Sequence, residues 1–130
     1  MLYYLFHMPY LEELFGLKGR VAVITGGNGH LGSEYAEALL NSGAKVAVFD
    51  IAEKNNPKIQ KLIEDGRPII SRRVDITKKA EIEAGFGEMV SRLGTPTVLV
   101  IIAGLDSHPS APAEQNGPFE DYPEKVWDAM

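Results

Sequence analysis

Short apolar runs alternate with segments of helical periodicity along this chain. Such runs, where they end at glycine, aspartate or a turn, are typical of buried parallel strands. The predicted strands are residues 21–25, 45–49, 69–74 and 97–102. The predicted helices between them are residues 31–42, 58–65 and 78–93. This alternating order predicts an α/β fold of the Rossmann type, a doubly wound parallel sheet of about four strands with helices on both faces.

The spacing of large apolar residues also predicts which face of each longer helix is buried. In the first helix the residues at helical spacing are Leu31, Tyr35, Ala38 and Leu39. In the third helix they are Ile82, Phe86, Met89, Val90 and Leu93. We expect both sets to pack against the sheet.

The two ends of the chain lack this alternation. Residues 1–16 begin with an apolar and aromatic leader that has no basic region or cleavage site typical of a signal peptide, and that is too short to span a bilayer. Proline and glycine interrupt residues 105–119, which predicts a long loop, and residues 123–130 are typical of a helix start. We therefore divide the chain into a leader, 1–16, and a Rossmann domain, 17–130.

Charge and cysteine content narrow the partners and the compartment. The net charge of −5 does not favour nucleic acid or an anionic membrane as a partner. The absence of cysteine excludes a disulfide scaffold and a thiolate metal site, and it is compatible with a reducing compartment, so we expect a cytoplasmic protein. The three histidines, His7, His30 and His108, have no metal-ligand spacing, so no metal site is predicted.

A glycine-rich turn follows the first predicted strand and leads into a helix. Backbone N–H groups and the helix dipole favour anions at such a turn, and glycine lets a pyrophosphate approach closely. Its predicted cofactor-binding residues are Gly26, Asn28, Gly29, His30, Leu31 and Gly32. Ser33 stands where a phosphate-binding loop of ATPases or GTPases requires lysine, so that reading is rejected.

Acidic residues follow the second and third predicted strands. Asp50 can accept hydrogen bonds from the adenosine ribose, and it would repel the 2′-phosphate of NADP. Ile51 follows rather than an arginine, so NAD is favoured over NADP. Asp75 and Ile76 could flank the adenine ring, although Asp75 could equally cap the helix after Thr77.

Taken together, these features resemble the short-chain dehydrogenase/reductase family. The stretches that carry the resemblance are GRVAVITGG, GHLGSEYAEALLNSGAKVAVFD, VDIT and VLVIIAG, and it runs from about Leu17 to the end of the chain. The spacing of Gly26, Gly29 and Gly32 is typical of the extended branch, which includes nucleotide-sugar epimerases and dehydratases, whereas the classical branch has glycine where this chain has His30. The long third helix and the segment FEDYPEKVWDAM favour the classical branch.

The resemblance implies a further cofactor contact at the end of the fourth strand. The family has Asn-Asn-Ala-Gly where this chain has Ile101, Ile102, Ala103 and Gly104. Ala103 and Gly104 still permit close approach of a cofactor. Two isoleucines cannot make the hydrogen bonds of the asparagines, so we expect weaker cofactor binding at this strand end.

The resemblance also implies a reaction, hydride transfer between nicotinamide and a small-molecule alcohol or carbonyl substrate. The family needs a tyrosine followed four residues later by lysine, and none of the five tyrosines has one, so no catalytic residue is assigned. We expect an inactive N-terminal part of an NAD-dependent enzyme, truncated before the catalytic segment, whose complete form is a homo-oligomer. The alternatives are part of an extended-branch nucleotide-sugar enzyme and a non-catalytic nucleotide-binding module.

Overall fold

A computed structural model describes residues 12–104, 118–121 and 123–128 of the chain. Its strands are β1 (Val21–Thr25), β2 (Lys45–Asp50), β3 (Ile69–Arg73) and β4 (Val98–Ile101). Its helices are α1 (His30–Asn41), α2 (Pro57–Glu64), α3 (Lys79–Leu93) and the short α4 (Glu124–Trp127), with a 3₁₀ turn at Phe119–Asp121. Every predicted strand and helix between residues 21 and 102 is confirmed to within one residue at each end.

The four strands form one parallel sheet in the order β3-β2-β1-β4. One core cluster packs α1 and α2 on one face of the sheet, and its buried residues are Ile24, Ala36, Leu40, Val46, Val48, Ile59, Leu62 and Ile69. The other packs α3 on the opposite face through Val21, Val23, Ala47, Phe49, Ile70, Val74 and Met89. The predicted doubly wound α/β architecture is confirmed.

The predicted buried face of α1 is largely wrong, although Leu39 packs against the core cluster. Leu31 and Tyr35 are 60% and 49% exposed, and Ala38 is exposed as well. The buried residues of this helix are Gly32, Ser33, Ala36 and Leu40. The first turn of the helix packs directly on the glycine-rich turn, so only small residues fit there, and a search for large apolar side chains selects the wrong face.

The predicted face of α3 is only partly correct. Met89 is buried, and Val90 and Leu93 pack against the same cluster, but Ile82 and Phe86 are 38% and 45% exposed. The close contact is made by Gly85, where an added Cβ would lie 2.9 Å from Cγ2 of Val74. The buried residues of this helix are Gly85 and Met89.

Strand β4 lies at one edge of the described sheet. Its only neighbour among the described residues is β1, with Val23 opposite Leu99 and Thr25 opposite Ile101. Leu99 and Ile101 are 62% and 71% exposed, and they point to the face that carries α3 because Val23 belongs to the cluster on that face.

The ends of the chain are described only in part. Residues 12–15 form one helical turn, whereas residues 1–11 of the predicted leader and residues 105–117 of the predicted loop lie outside the described residues. The division into a leader and a domain at residue 17 therefore stays a prediction. In the parts of the chain that the structure describes, no helix combines the length and the apolar character needed to cross a bilayer.

Candidate functional site

The carboxyl ends of all four strands open into one cleft of about 760 Å³. It is lined by Gly26, Asn28, Gly29, His30, Leu31, Gly32, Asp50, Ile51, Ala52, Asp75, Ile76, Thr77, Ile102, Ala103 and Gly104. All twelve residues predicted to bind a cofactor are in this set, so the structure brings them together. Ala52, Thr77 and Ile102 line the cleft in addition. Its volume lies in the range of small-molecule and cofactor sites.

The glycine-rich turn has a shape that side chains would prevent. Gly26 has a φ of +72°, and its N–H donates a 2.8 Å hydrogen bond to the Phe49 carbonyl. A Cβ on Gly26 would lie 2.7 Å from the Ala103 nitrogen, and one on Gly32 would lie 2.3 Å from the Gly26 carbonyl oxygen. The turn is therefore packed, backbone against backbone, between the ends of β1 and β4 and the start of α1.

Asp50 ends β2 with its carboxylate held by two backbone donors. The Asn28 N–H donates to Oδ2 at 2.9 Å, and the Ala52 N–H donates to Oδ1 at 2.9 Å. A carboxylate can accept about four hydrogen bonds, so each oxygen keeps capacity for another donor, such as a hydroxyl group. The carboxylate thus lies beside the glycine-rich turn with its orientation fixed from both sides.

A pair of asparagines joins the same turn to helix α2. The Asn56 side-chain Nδ2 donates to the Asn28 carbonyl at 2.9 Å, and the Asn56 N–H donates to the Asn28 Oδ1 at 3.2 Å. Asn56 also caps α2, because its Oδ1 accepts from the Ile59 N–H at 2.8 Å, with Pro57 at the first helical position. The capping role of Asn56 was not predicted, although an asparagine before a proline at a helix start is the usual signal of a cap.

The Asp75 side chain makes its hydrogen bonds mainly within its own turn. Its Oδ1 accepts from both the backbone N–H and the hydroxyl of Thr77, and these bonds, aided by Lys78, hold the pKa of Asp75 below its ordinary value. The Asp75 N–H in turn donates to Glu81 Oε2 at 2.8 Å, which is the main reason that the pKa of Glu81 is also lowered. Asp75 therefore shapes the turn before α3 without capping the helix itself, since Lys78 is the cap residue.

The remaining predicted residues form the rim of the cleft. His30 is the exposed first residue of α1. Ile51 and Ile76, which follow β2 and β3, are 59% and 38% exposed. Two arginines at the end of β3 are paired with carboxylates: Arg72 with Glu88, and Arg73 with Glu53 and Glu81.

The end of β1, beside the end of β4, has a polar group without a partner among the described residues. The Thr25 hydroxyl is buried, and it makes no hydrogen bond to any of the described residues. The Ile102 N–H donates to the Thr25 carbonyl at 3.2 Å, which places the Ile101–Ile102 pair beside this threonine. The expected loss of polar contacts at the two isoleucines therefore coincides with an unsatisfied hydroxyl.

Comparison with known proteins identifies the family. The family model described as short chain dehydrogenase matches residues 20–130. The chain belongs to the short-chain dehydrogenase/reductase family. It is 30% identical over 118 residues to 5-keto-D-gluconate 5-reductase of Escherichia coli, covering 90% of this chain and 43% of that protein. It is 37% identical over 89 residues to 3-beta-hydroxysteroid dehydrogenase of Comamonas testosteroni, covering 68% and 34%.

Solved structures agree with this assignment. The actinorhodin polyketide ketoreductase structure with NADPH matches with a TM-score of 0.67 at 28% identity, over 85% of this chain and 40% of that one. A family member from Burkholderia phymatum in complex with NAD matches with a TM-score of 0.60 at 28% identity, over 65% and 31%. The chain thus spans between about a third and about two fifths of the length of the relatives it matches. One of these two structures is described with NADPH and the other with NAD. The comparison therefore supports nicotinamide dinucleotides as a class and does not distinguish NAD from NADP.

Proposed function

We propose that this chain is the cofactor-binding part of an NAD-dependent oxidoreductase of the classical branch. The parent enzyme would move a hydride between nicotinamide and an alcohol or carbonyl substrate. The observation that carries the proposal is the Asp50 carboxylate, which is fixed by two backbone N–H groups at the edge of the cleft. A carboxylate at this position accepts hydrogen bonds from the ribose hydroxyls of NAD and repels the 2′-phosphate of NADP.

The cleft also fits the rest of the adenosine diphosphate half of NAD. The glycine-rich turn at the start of α1 can adopt its closely packed shape because Gly26 and Gly32 carry no side chain. The helix dipole at this turn favours the negative charge of a pyrophosphate. Ile51 and Ile76 offer exposed apolar surface at the ends of β2 and β3, which suits a planar base between them. The bound dinucleotide would supply the hydride acceptor, and the residues of this chain would bind and orient it.

We further propose that the 130 residues bind cofactor without turning over substrate. No tyrosine of the sequence is followed by the lysine that the family reaction uses. For the parent enzyme we propose a cytoplasmic location and a homo-oligomeric state.

Calorimetry on the folded chain tests the binding half of this proposal. We expect saturable heat with NAD, a weaker response with NADP, and none with a nicotinamide mononucleotide control, which lacks the adenosine. Circular dichroism in the same buffer establishes that the protein is folded. Folded protein that gives no heat with either dinucleotide would exclude cofactor binding by this chain.

A second candidate function is a non-catalytic nucleotide-binding module. It is favoured by Ile101 and Ile102 and by the unsatisfied Thr25 hydroxyl beside them. The reading frame distinguishes the two candidates. A continuation that encodes tyrosine followed four residues on by lysine supports the enzyme, and a native stop after Met130 supports the module.

A further inference from the structure

Helix α2 is connected to Asp50 by a continuous chain of hydrogen bonds. Asn56 caps α2 and donates to the Asn28 carbonyl, and the next donor along the path, the Asn28 N–H, binds the Asp50 carboxylate. The second Asp50 oxygen is bound by Ala52. The glycine-rich turn and the residues after β2 therefore hold the carboxylate directly, and the start of α2 is connected to it through Asn28.

The asparagine pair, Asn28 and Asn56, is the central link of this chain. The two residues are 28 positions apart, and Asn56 donates two hydrogen bonds to Asn28, of 2.9 Å to its carbonyl oxygen and 3.2 Å to its Oδ1, at partly buried positions. The bond to the carbonyl takes the place of a hydrogen bond that this oxygen would otherwise accept from water. The Asn28 N–H, in the peptide group on the other side of the Asn28 Cα, is itself an Asp50 donor, so a shift of the Asn28 backbone displaces the carboxylate.

We propose that Asn56 is a positioning residue for ribose selectivity, which acts on Asp50 through Asn28. This inference rests on the proposed NAD site and adds a residue that does not line the cleft. The Asn56 side chain would keep the Asn28 backbone in place, and with it the Asp50 carboxylate, in the orientation that accepts hydrogen bonds from the ribose hydroxyls. Without it the carboxylate would become mobile, and NAD would lose more affinity than NADP, whose phosphate the carboxylate repels.

The substitution Asn56→Ser separates positioning from capping. Serine caps a helix about as well as asparagine, so α2 keeps its cap, but serine has no amide to donate to the Asn28 carbonyl. Asn55→Ser is the matched control, because among the described residues the Asn55 side chain bonds only to the exposed Gln60 side chain on α2, with Nδ2 3.3 Å from Oε1. Titration of both variants with NAD and with NADP gives the ratio of the two dissociation constants.

We expect Asn56→Ser to weaken NAD binding about three- to tenfold, the usual effect of one lost hydrogen bond, and to lower the preference for NAD over NADP by a similar factor. Asn55→Ser should leave both within about twofold, and the urea midpoints of the two variants should agree. An unchanged preference for NAD over NADP in Asn56→Ser would overturn the proposal. An equal loss of affinity for both cofactors together with a lower urea midpoint would overturn it as well, because that is the result of a purely structural role.

Amide exchange of Asn28, followed by NMR in the absence of cofactor, provides a readout that does not depend on binding. Its N–H should exchange slowly in the natural sequence and in Asn55→Ser, and faster in Asn56→Ser. If the natural sequence binds neither dinucleotide, the proposed function fails, and exchange alone decides the link between the asparagines and Asp50. Equally slow exchange in all three proteins would then refute that link.

Discussion

The backbone N–H of Asn28 lies 2.9 Å from Oδ2 of Asp50, and this hydrogen bond joins residues that are 22 positions apart in sequence. It ties the glycine-rich turn after β1 to the end of β2. The two elements of the predicted dinucleotide site, a turn for the pyrophosphate and an acid for the ribose, are thus parts of one hydrogen-bonded unit.

The first prediction concerns that charge. Asp50→Asn keeps the size of the side chain but removes its negative charge and one of the two carboxylate acceptors. Hydrogen bonds to charged groups contribute about 1.5–3 kcal/mol, so NAD affinity should fall about 10- to 100-fold while NADP affinity rises. Asp65→Asn, an equal charge change at the exposed end of α2, is the control. A preference for NAD that survives Asp50→Asn would contradict the role of this carboxylate.

The second prediction contrasts two helical glycines. Glycine-to-alanine substitution inside a helix normally stabilises a protein by about 1 kcal/mol, and Gly87→Ala in α3 should do so because nothing lies within 4 Å of the added Cβ. Gly32→Ala in α1 should destabilise instead, by about 2 kcal/mol or more, since its Cβ would meet the Gly26 carbonyl oxygen at 2.3 Å. Urea unfolding measures both changes. Opposite signs are expected, and two stabilising substitutions would contradict the close packing of the turn.

Sequence patterns were sufficient to predict the strands, the helices and the residues that line the cleft, and the reason is physical. Parallel strands buried on both faces are continuous apolar runs, and their carboxyl ends must meet at one edge of the sheet, so Gly26, Asp50, Asp75 and Ala103 converge once the order of elements is known. Binding by these residues stays a prediction.

What the sequence could not supply depends on close contacts between elements. The buried face of α1 is set by Gly32 and Ala36, which are selected by the small space beside the turn rather than by hydrophobicity. The hydrogen bond between Asn56 and Asn28 joins two loops, and no periodic pattern encodes it.

The third prediction concerns the buried Thr25 hydroxyl. Thr25→Val replaces it by a methyl group of similar size, and leaving a buried hydroxyl without a partner costs about 1–3 kcal/mol. The free energy of unfolding should therefore rise by about 1 kcal/mol. Thr97→Val, at an exposed position just before β4, should change it by less than about 0.5 kcal/mol. A destabilised Thr25→Val protein would mean that the hydroxyl has a partner after all.

The fourth prediction concerns acid stability. Donors from Asp75 and Lys78 lower the pKa of Glu81 in the folded protein, so its ionised form stabilises the fold above the unfolded pKa of about 4.3, and this contribution is lost as the pH falls through the lower folded pKa. Asp75, with its pKa also lowered, acts in the same direction. Glu81→Gln should lower the urea midpoint at pH 6 and approach the natural sequence near pH 3.

Glu83→Gln supplies the control for this pH series, because Glu83 lies on the same helix with its side chain 67% exposed. Its midpoints should follow those of the natural sequence at every pH. Parallel curves for Glu81→Gln and the natural sequence, with no convergence in acid, would show that Glu81 has no such part in acid stability.

The last prediction concerns the exposed side of β4. Leu99 and Ile101 are more than 60% exposed on a strand whose outer edge has no neighbour among the described residues, and unpaired apolar edges favour association with other chains. The 130-residue chain should therefore self-associate at micromolar concentration. Leu99→Lys combined with Ile101→Lys should shift the mass measured by light scattering towards the monomer, because charge on an edge strand opposes pairing, whereas Leu31→Lys, an equally exposed leucine on α1, should not. A natural chain that is monomeric under these conditions would show that this edge does not drive association.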